Sequence, residues 1–120
     1  IWIKFEKKFL KLWETENYGD AYPKVLFKKN SKKMILEKKI YMQNLFEETI
    51  SYAGAKIIRR IYGFAHNIDF EWIENTKVRA NCEYKASSLA IEMLKNTNSF
   101  KSINDLIKAA KINENMNVKL

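Results

Sequence analysis

Apolar residues recur at intervals of three and four along most of the chain, and no stretch alternates with turn signals at its ends in the manner of a strand. In the opening IWIKFEKKFLKLWETENYG, the residues Trp2, Phe5, Phe9, Leu12 and Trp13 share one face, and Gly19 stands at a C-cap position, so the spacing predicts a first helix. Pro23 biases Tyr22 away from helical angles, which makes DAYPKVLFKKNS a connector with one turn around Lys24 to Phe27. Ser31 can cap a second helix whose apolar positions Ile35, Met42, Leu45, Phe46, Thr49 and Ile50 run to about Ile50. Ser51 and Gly54 weaken helical structure locally, so a kink or restart is expected before the next apolar run, AGAKIIRRIYGFAH. The segment NIDFEWIEN offers capping Asn and Asp beside Phe70, Trp72 and Ile73, the pattern of a short helical turn laid on a core. From Thr76 to Lys95, Val78, Cys82, Ala86, Leu89, Ala90, Met93 and Leu94 repeat at helical spacing until NTNS interrupts them. Ser102, with Asp105 three residues on, nearly matches a capping box ahead of Leu106, Ile107, Ala109 and Ala110, and a frayed tail is expected from Asn113 to Leu120. The fold class is all-α.

The 120 residues, 47% of them apolar, suffice for one modest core, so a single domain is expected over 1–120. A helical pattern that begins at Ile1 without a capping residue has the look of a piece cut from something longer. Cys82 is the only cysteine, which excludes an intrachain disulfide and fits a reducing cytoplasmic setting. Its register with Val78, Ala86 and Leu89 marks it as a small core residue rather than a nucleophile. No apolar stretch approaches the roughly 18 residues a membrane span needs, so no membrane partner is expected. The net charge of +8 would permit nucleic acid as a partner, but lysine pairs are spread along the whole chain instead of gathering in one tract. That distribution argues for a compositional habit, and against nucleic-acid binding.

Against this lysine background two arginines stand side by side, Arg59 and Arg60, joined elsewhere only by Arg79. The guanidinium is a flat fork of donors matched to phosphate or carboxylate, which a lysine cannot mimic. At about 100° per residue, Lys56, Arg59, Arg60 and Gly63 fall on one arc with His66 at its margin. Ala53, Ile57, Ile58, Ile61, Tyr62, Phe64 and Ala65 face the other way and would fix the helix against a core. Gly63, a turn beyond the arginines, would let a ligand or another backbone come close. The same pattern also describes an ordinary amphipathic helix whose wet side is basic.

Other site chemistry is sparse. One cysteine and one histidine, far apart, make no zinc site, and Gly19, Gly54 and Gly63 lack the spacing of a phosphate-binding loop. His66, near a helix C-terminus, suits the helix dipole better than the role of a base. The aromatic residues fit core positions better than a base-stacking platform.

Four blocks carry a resemblance to a known family: FEKKFLKLW at 5–13, AYPKVLF at 21–27, the long QNLFEETISYAGAKIIRRIYGFAHNIDFEWIEN at 43–75, and RANCEYKA at 79–86. From about Phe5 to Leu94 the chain resembles the C-terminal part of 5-methylthioribose kinases, while the last 25 residues are only loosely similar. The resemblance implies a protein-kinase-like architecture, akin to choline kinases and aminoglycoside phosphotransferases, of which this chain would be a helical subdomain at the C-terminal end of the large lobe. It implies ATP and Mg2+ in the intact enzyme, 5-methylthioribose as substrate in methionine salvage, and Arg59 and Arg60 as substrate- or phosphate-binding residues. The glycine-rich loop, the ATP-gripping lysine, the catalytic Asp and the acidic magnesium ligands would all lie in earlier sequence. No catalytic residue and no bound cofactor is therefore expected in this chain, which alone should transfer no phosphate. A rival from another class is a small basic helical module for nucleic acid or protein, supported by SINDLIKAAKINENMNVKL, although too few residues follow Ile112 to build a recognition helix. Apolar faces left by a missing lobe would favour a homodimer or other self-association.

Overall fold

A computed structural model describes residues 1–15, 31–64 and 68–116. The described residues hold helices and one 3-10 turn, with no strand: α1 (Trp2–Thr15), α2 (Lys32–Tyr62), α3 (Ile68–Glu71), α4 (Thr76–Lys95), a 3-10 turn (Thr97–Ser99) and α5 (Ile103–Glu114). The all-α expectation is met. The connector from Asp20, the Gly19 cap and His66 lie outside the described residues.

Local chemistry explains where the helices start. Ser31 Oγ accepts from Met34 N at 3.2 Å, which satisfies one of the orphan donors opening α2. Asn75 Oδ1 accepts from Lys77 N and Val78 N, each at 3.1 Å, at the start of α4. The Asp105 carboxylate takes the N–H of Ser102 and the Ser102 hydroxyl, each at 2.9 Å, ahead of α5. Thr97 Oγ1 donates back to Met93 O at 2.8 Å where α4 gives way to the 3-10 turn.

The chain divides into two compact units, Ile1–Leu45 and Phe46–Leu120. In the first, Phe9 stacks on Tyr41 with ring centroids 5.8 Å apart and planes 4° from parallel, and Trp13 meets Tyr41 edge-on at 5.0 Å. Trp2, Phe5 and Phe9 continue this ladder along α1, as their spacing predicts. Lys38 Nζ lies 5.9 Å over the Trp13 ring and 3.7 Å from Glu14 Oε1. In the second unit the buried side chains are Phe46 and Ile50 of α2, Ser87, Ala90 and Met93 of α4, Phe100, and Ala109 and Asn113 of α5.

Several expectations are corrected. No break occurs at Ser51 or Gly54, because α2 runs 31 residues without interruption. Its buried side chains Met34, Met42, Phe46 and Ile50 fall four or eight apart, and Gly54 extends the row. At Gly54 the cost of glycine in a helix interior is offset by a close approach to α4: an added Cβ would lie 2.9 Å from Ala90 O and 3.2 Å from Met93 Cβ. Ser51 adds a hydroxyl contact of 3.0 Å to Thr97 Oγ1. Met34, 3% exposed, takes the place expected of Ile35, which is 60% exposed, and Thr49 faces out. On α4, Val78 and Leu94 are exposed and Cys82 is only half-buried, while Ser87 is buried. Ser87 Oγ donates to Glu83 O at 2.7 Å and lies 3.0 Å from Tyr62 Oη, so a polar group sits inside at little cost. Asn113, expected to fray, is helical and buried, with Nδ2 donating to Ala109 O at 3.0 Å.

Candidate anion site at the end of α2

Arg59 and Arg60 occupy the last turn of α2. Unsatisfied carbonyls concentrate negative partial charge at that end, so cations there also favour the helix itself. Both side chains are exposed, as the basic arc predicts. The opposite arc is only partly sheltered. Ile57, Ile58 and Ile61 are half-buried, but Tyr62 is exposed and Phe64 is 100% exposed, so the apolar anchor expected beyond Ile61 is absent from the described surroundings.

The two arginines differ in their partners. Arg60 Nη1 lies 2.7 Å from Asp69 Oδ2, across from α2 to α3, whereas Arg59 has no ion pair among the described residues. Asp69 is itself held at its backbone, since Trp72 Nε1 donates to Asp69 O at 2.9 Å and Ile73 N closes the turn on Phe70 O at 3.0 Å. α3 in turn packs beside α4. Lys56, the third cation of the arc, is half-buried with Nζ 5.7 Å over the Tyr52 ring, which turns it away from the role of a free donor. Arg79 lies farther along, its Nε 4.0 Å from Glu83 Oε1 one turn on within α4.

Gly63 has a local cause. Its N–H donates to Arg59 O at 2.9 Å, and a Cβ at this position would collide with that carbonyl and come within 3.3 Å of Arg59 Cγ. The glycine therefore lets the chain fold tightly over the last turn of α2, a requirement of the backbone beside Arg59. Asp69 and Trp72 were not legible as members of this group. NIDFEWIEN reads as a capped turn, and its one further signal is an acidic residue following closely on a doublet of cations.

Among the described residues no three His, Cys, Asp or Glu side chains converge on a metal-binding arrangement, and no helix is long and apolar enough to cross a membrane. What the geometry can do is present two forked cations to an anion, one braced by Asp69 and one without an ion pair among the described residues.

Comparison with known proteins bears out the resemblance. No family model matches the chain. It is 40% identical over 108 residues to methylthioribose kinase 1 of Oryza sativa subsp. japonica, covering 88% of this chain and 25% of that protein. It is 32% identical over 111 residues to the methylthioribose kinase of Escherichia coli, covering 92% and 26%, and 36% identical over 94 residues to that of Bacillus cereus, covering 78% and 21%. The chain thus spans about a quarter of the length of the curated relatives it matches.

Proposed function

We propose that this chain is the C-terminal part of an ATP-dependent kinase that phosphorylates 5-methylthioribose at O1 in methionine salvage, and that it supplies the arginines that bind substrate or phosphate. The observation that carries the reading is the similarity to methylthioribose kinases over nearly the whole chain, together with an exposed guanidinium pair in the block that carries the likeness.

In such a reaction the sugar O1 attacks the γ-phosphorus of ATP as the bond to the β,γ-bridging oxygen breaks and ADP leaves. The O1 proton passes to a base that this chain does not supply. Charge spreads over the equatorial oxygens of the moving phosphoryl group, and preorganised cations stabilise it more than they stabilise the ground state. Arg59 and Arg60 are suited to that work because each offers several N–H donors in one plane. Mg2+, for which this chain is assigned no ligand, would supply further positive charge to the phosphate oxygens. On this reading the chain by itself transfers no phosphate, the intact enzyme works in the cytoplasm, and neither nucleic acid nor a membrane is a partner. Exposed apolar side chains such as Phe64 and Trp72 would drive the separate chain to associate with its own copies.

The test is substitution in the intact enzyme. Arg59→Ala and Arg60→Ala are each expected to lower kcat by about 10²-fold, the scale on which loss of one preorganised donor is felt. Arg59→Lys and Arg60→Lys should recover only part of it, because the ammonium keeps the charge and loses the fork. Turnover equal to wild type in all four variants would remove the pair from the mechanism.

A further inference from the structure

We propose that Asp69 is the positioning residue of the arginine pair: its carboxylate braces Arg60 as a fixed anion-facing donor and leaves Arg59 as the mobile arm. The inference rests on the kinase reading above and assigns different duties to the two arginines.

The geometry supports it in three ways. Arg60 Nη1 meets Asp69 Oδ2 at 2.7 Å, the short distance of a charge-assisted hydrogen bond. Only one guanidinium nitrogen is engaged in that contact, so the other nitrogens still have N–H donors to offer an anion. The backbone that carries Asp69 is held, because the Trp72 indole N–H donates to its peptide carbonyl at 2.9 Å and α3 packs beside α4. A carboxylate carried on held backbone removes rotamer freedom from a long side chain before any ligand arrives, and this is the condition under which a cation favours a transition state.

The exposure of the pair argues for position over stability. Arg60 is 49% and Asp69 40% exposed at the side chain, and ion pairs this open add little to folding. Losing the carboxylate should therefore leave the fold in place and release the guanidinium. Arg59, with no ion pair among the described residues, is free to follow the substrate, and its loss should weaken binding of the sugar as well as turnover.

The experiment is a double-mutant cycle in the intact enzyme, with ATP and 5-methylthioribose. Asp69→Asn is expected to lower kcat about tenfold, with KM for the sugar changed less than twofold. In an Arg60→Ala background the same substitution should cost nothing further, and in an Arg59→Ala background it should cost its full factor. Asp69→Glu, which keeps the charge but displaces the carboxylate by one methylene, should give a smaller loss that also vanishes in Arg60→Ala; it carries the same test if Asp69→Asn proves unstable. A tenfold loss that persists in Arg60→Ala, or wild-type turnover in Asp69→Asn while Arg60→Ala is impaired, overturns the positioning role and leaves the kinase reading standing. Wild-type turnover in Arg59→Ala and Arg60→Ala would instead sink the kinase reading and this inference with it.

Discussion

At the residue scale, charge and hydrogen bonding at helix ends decide most of what is seen. Asp105 shows the principle at the start of α5. Its carboxyl is held below the ordinary value of 3.8, chiefly by the Ser102 hydroxyl and then by the backbone N–H groups of Lys101 and Ser102, with a smaller contribution from the Lys108 charge. A carboxylate whose folded pKa is depressed contributes stability above its unfolded value, and that contribution disappears as pH falls through the folded value. The N-terminal turn of α5 should therefore keep its cap at pH 5 and lose it only in acid below the ordinary carboxylate range. Ser102→Ala removes the largest cause, so the Asp105 midpoint, followed by NMR of its carboxyl carbon, should move up toward 3.8; an unmoved midpoint would contradict the assignment. Such short-range devices are what a sequence discloses best. Ser31 and the Ser102/Asp105 pair stand where side-chain type and spacing place them. The exposed setting of Arg59 and Arg60 follows equally from their arc on the helix. The brace on Arg60 does not, because the approach of Asp69 depends on how the chain turns between α2 and α3.

At the element scale, the expected interruption of α2 failed for a specific reason. Propensity charges Gly54 about 1 kcal/mol relative to Ala and says nothing of what lies across from it. What lies across is the backbone of α4, close enough that the missing side chain is the condition for contact. Gly54→Ala should consequently destabilise the chain by about 1–3 kcal/mol, despite the better intrinsic propensity of alanine, since the added methyl must push against Ala90 O, which cannot swing aside. Chemical denaturation measures this directly, and a stabilised variant would show that α2 and α4 do not meet this closely. Ser51 belongs to the same crossing through Thr97. Both residues looked like helix breakers because a helix wheel records one helix at a time. The same blindness explains Ser87, a polar residue buried because its hydroxyl donates to the Glu83 carbonyl and lies against Tyr62 Oη.

For the molecule as a whole, the pattern of apolar residues was a good guide to the helices and a poorer guide to burial. Phe64 is 100% exposed and Trp72 71%. A wheel identifies the apolar side of a helix, but whether another element covers that side depends on how much chain is available to cover it. This one spans about a quarter of the length of its matched relatives. Such surface should make the chain associate on its own, so sedimentation is expected to show size rising with concentration, and Phe64→Ser to weaken that rise. A concentration-independent monomer would contradict it. Trp72 gives the arginine pair an optical consequence. Its indole sits in water while its N–H is tied to the peptide oxygen of the residue that braces Arg60, so its fluorescence should be red-shifted at rest and blue-shifted when an occupant dries that corner. Read in a Trp2→Phe, Trp13→Phe background, that shift would gauge whether the cations are engaged.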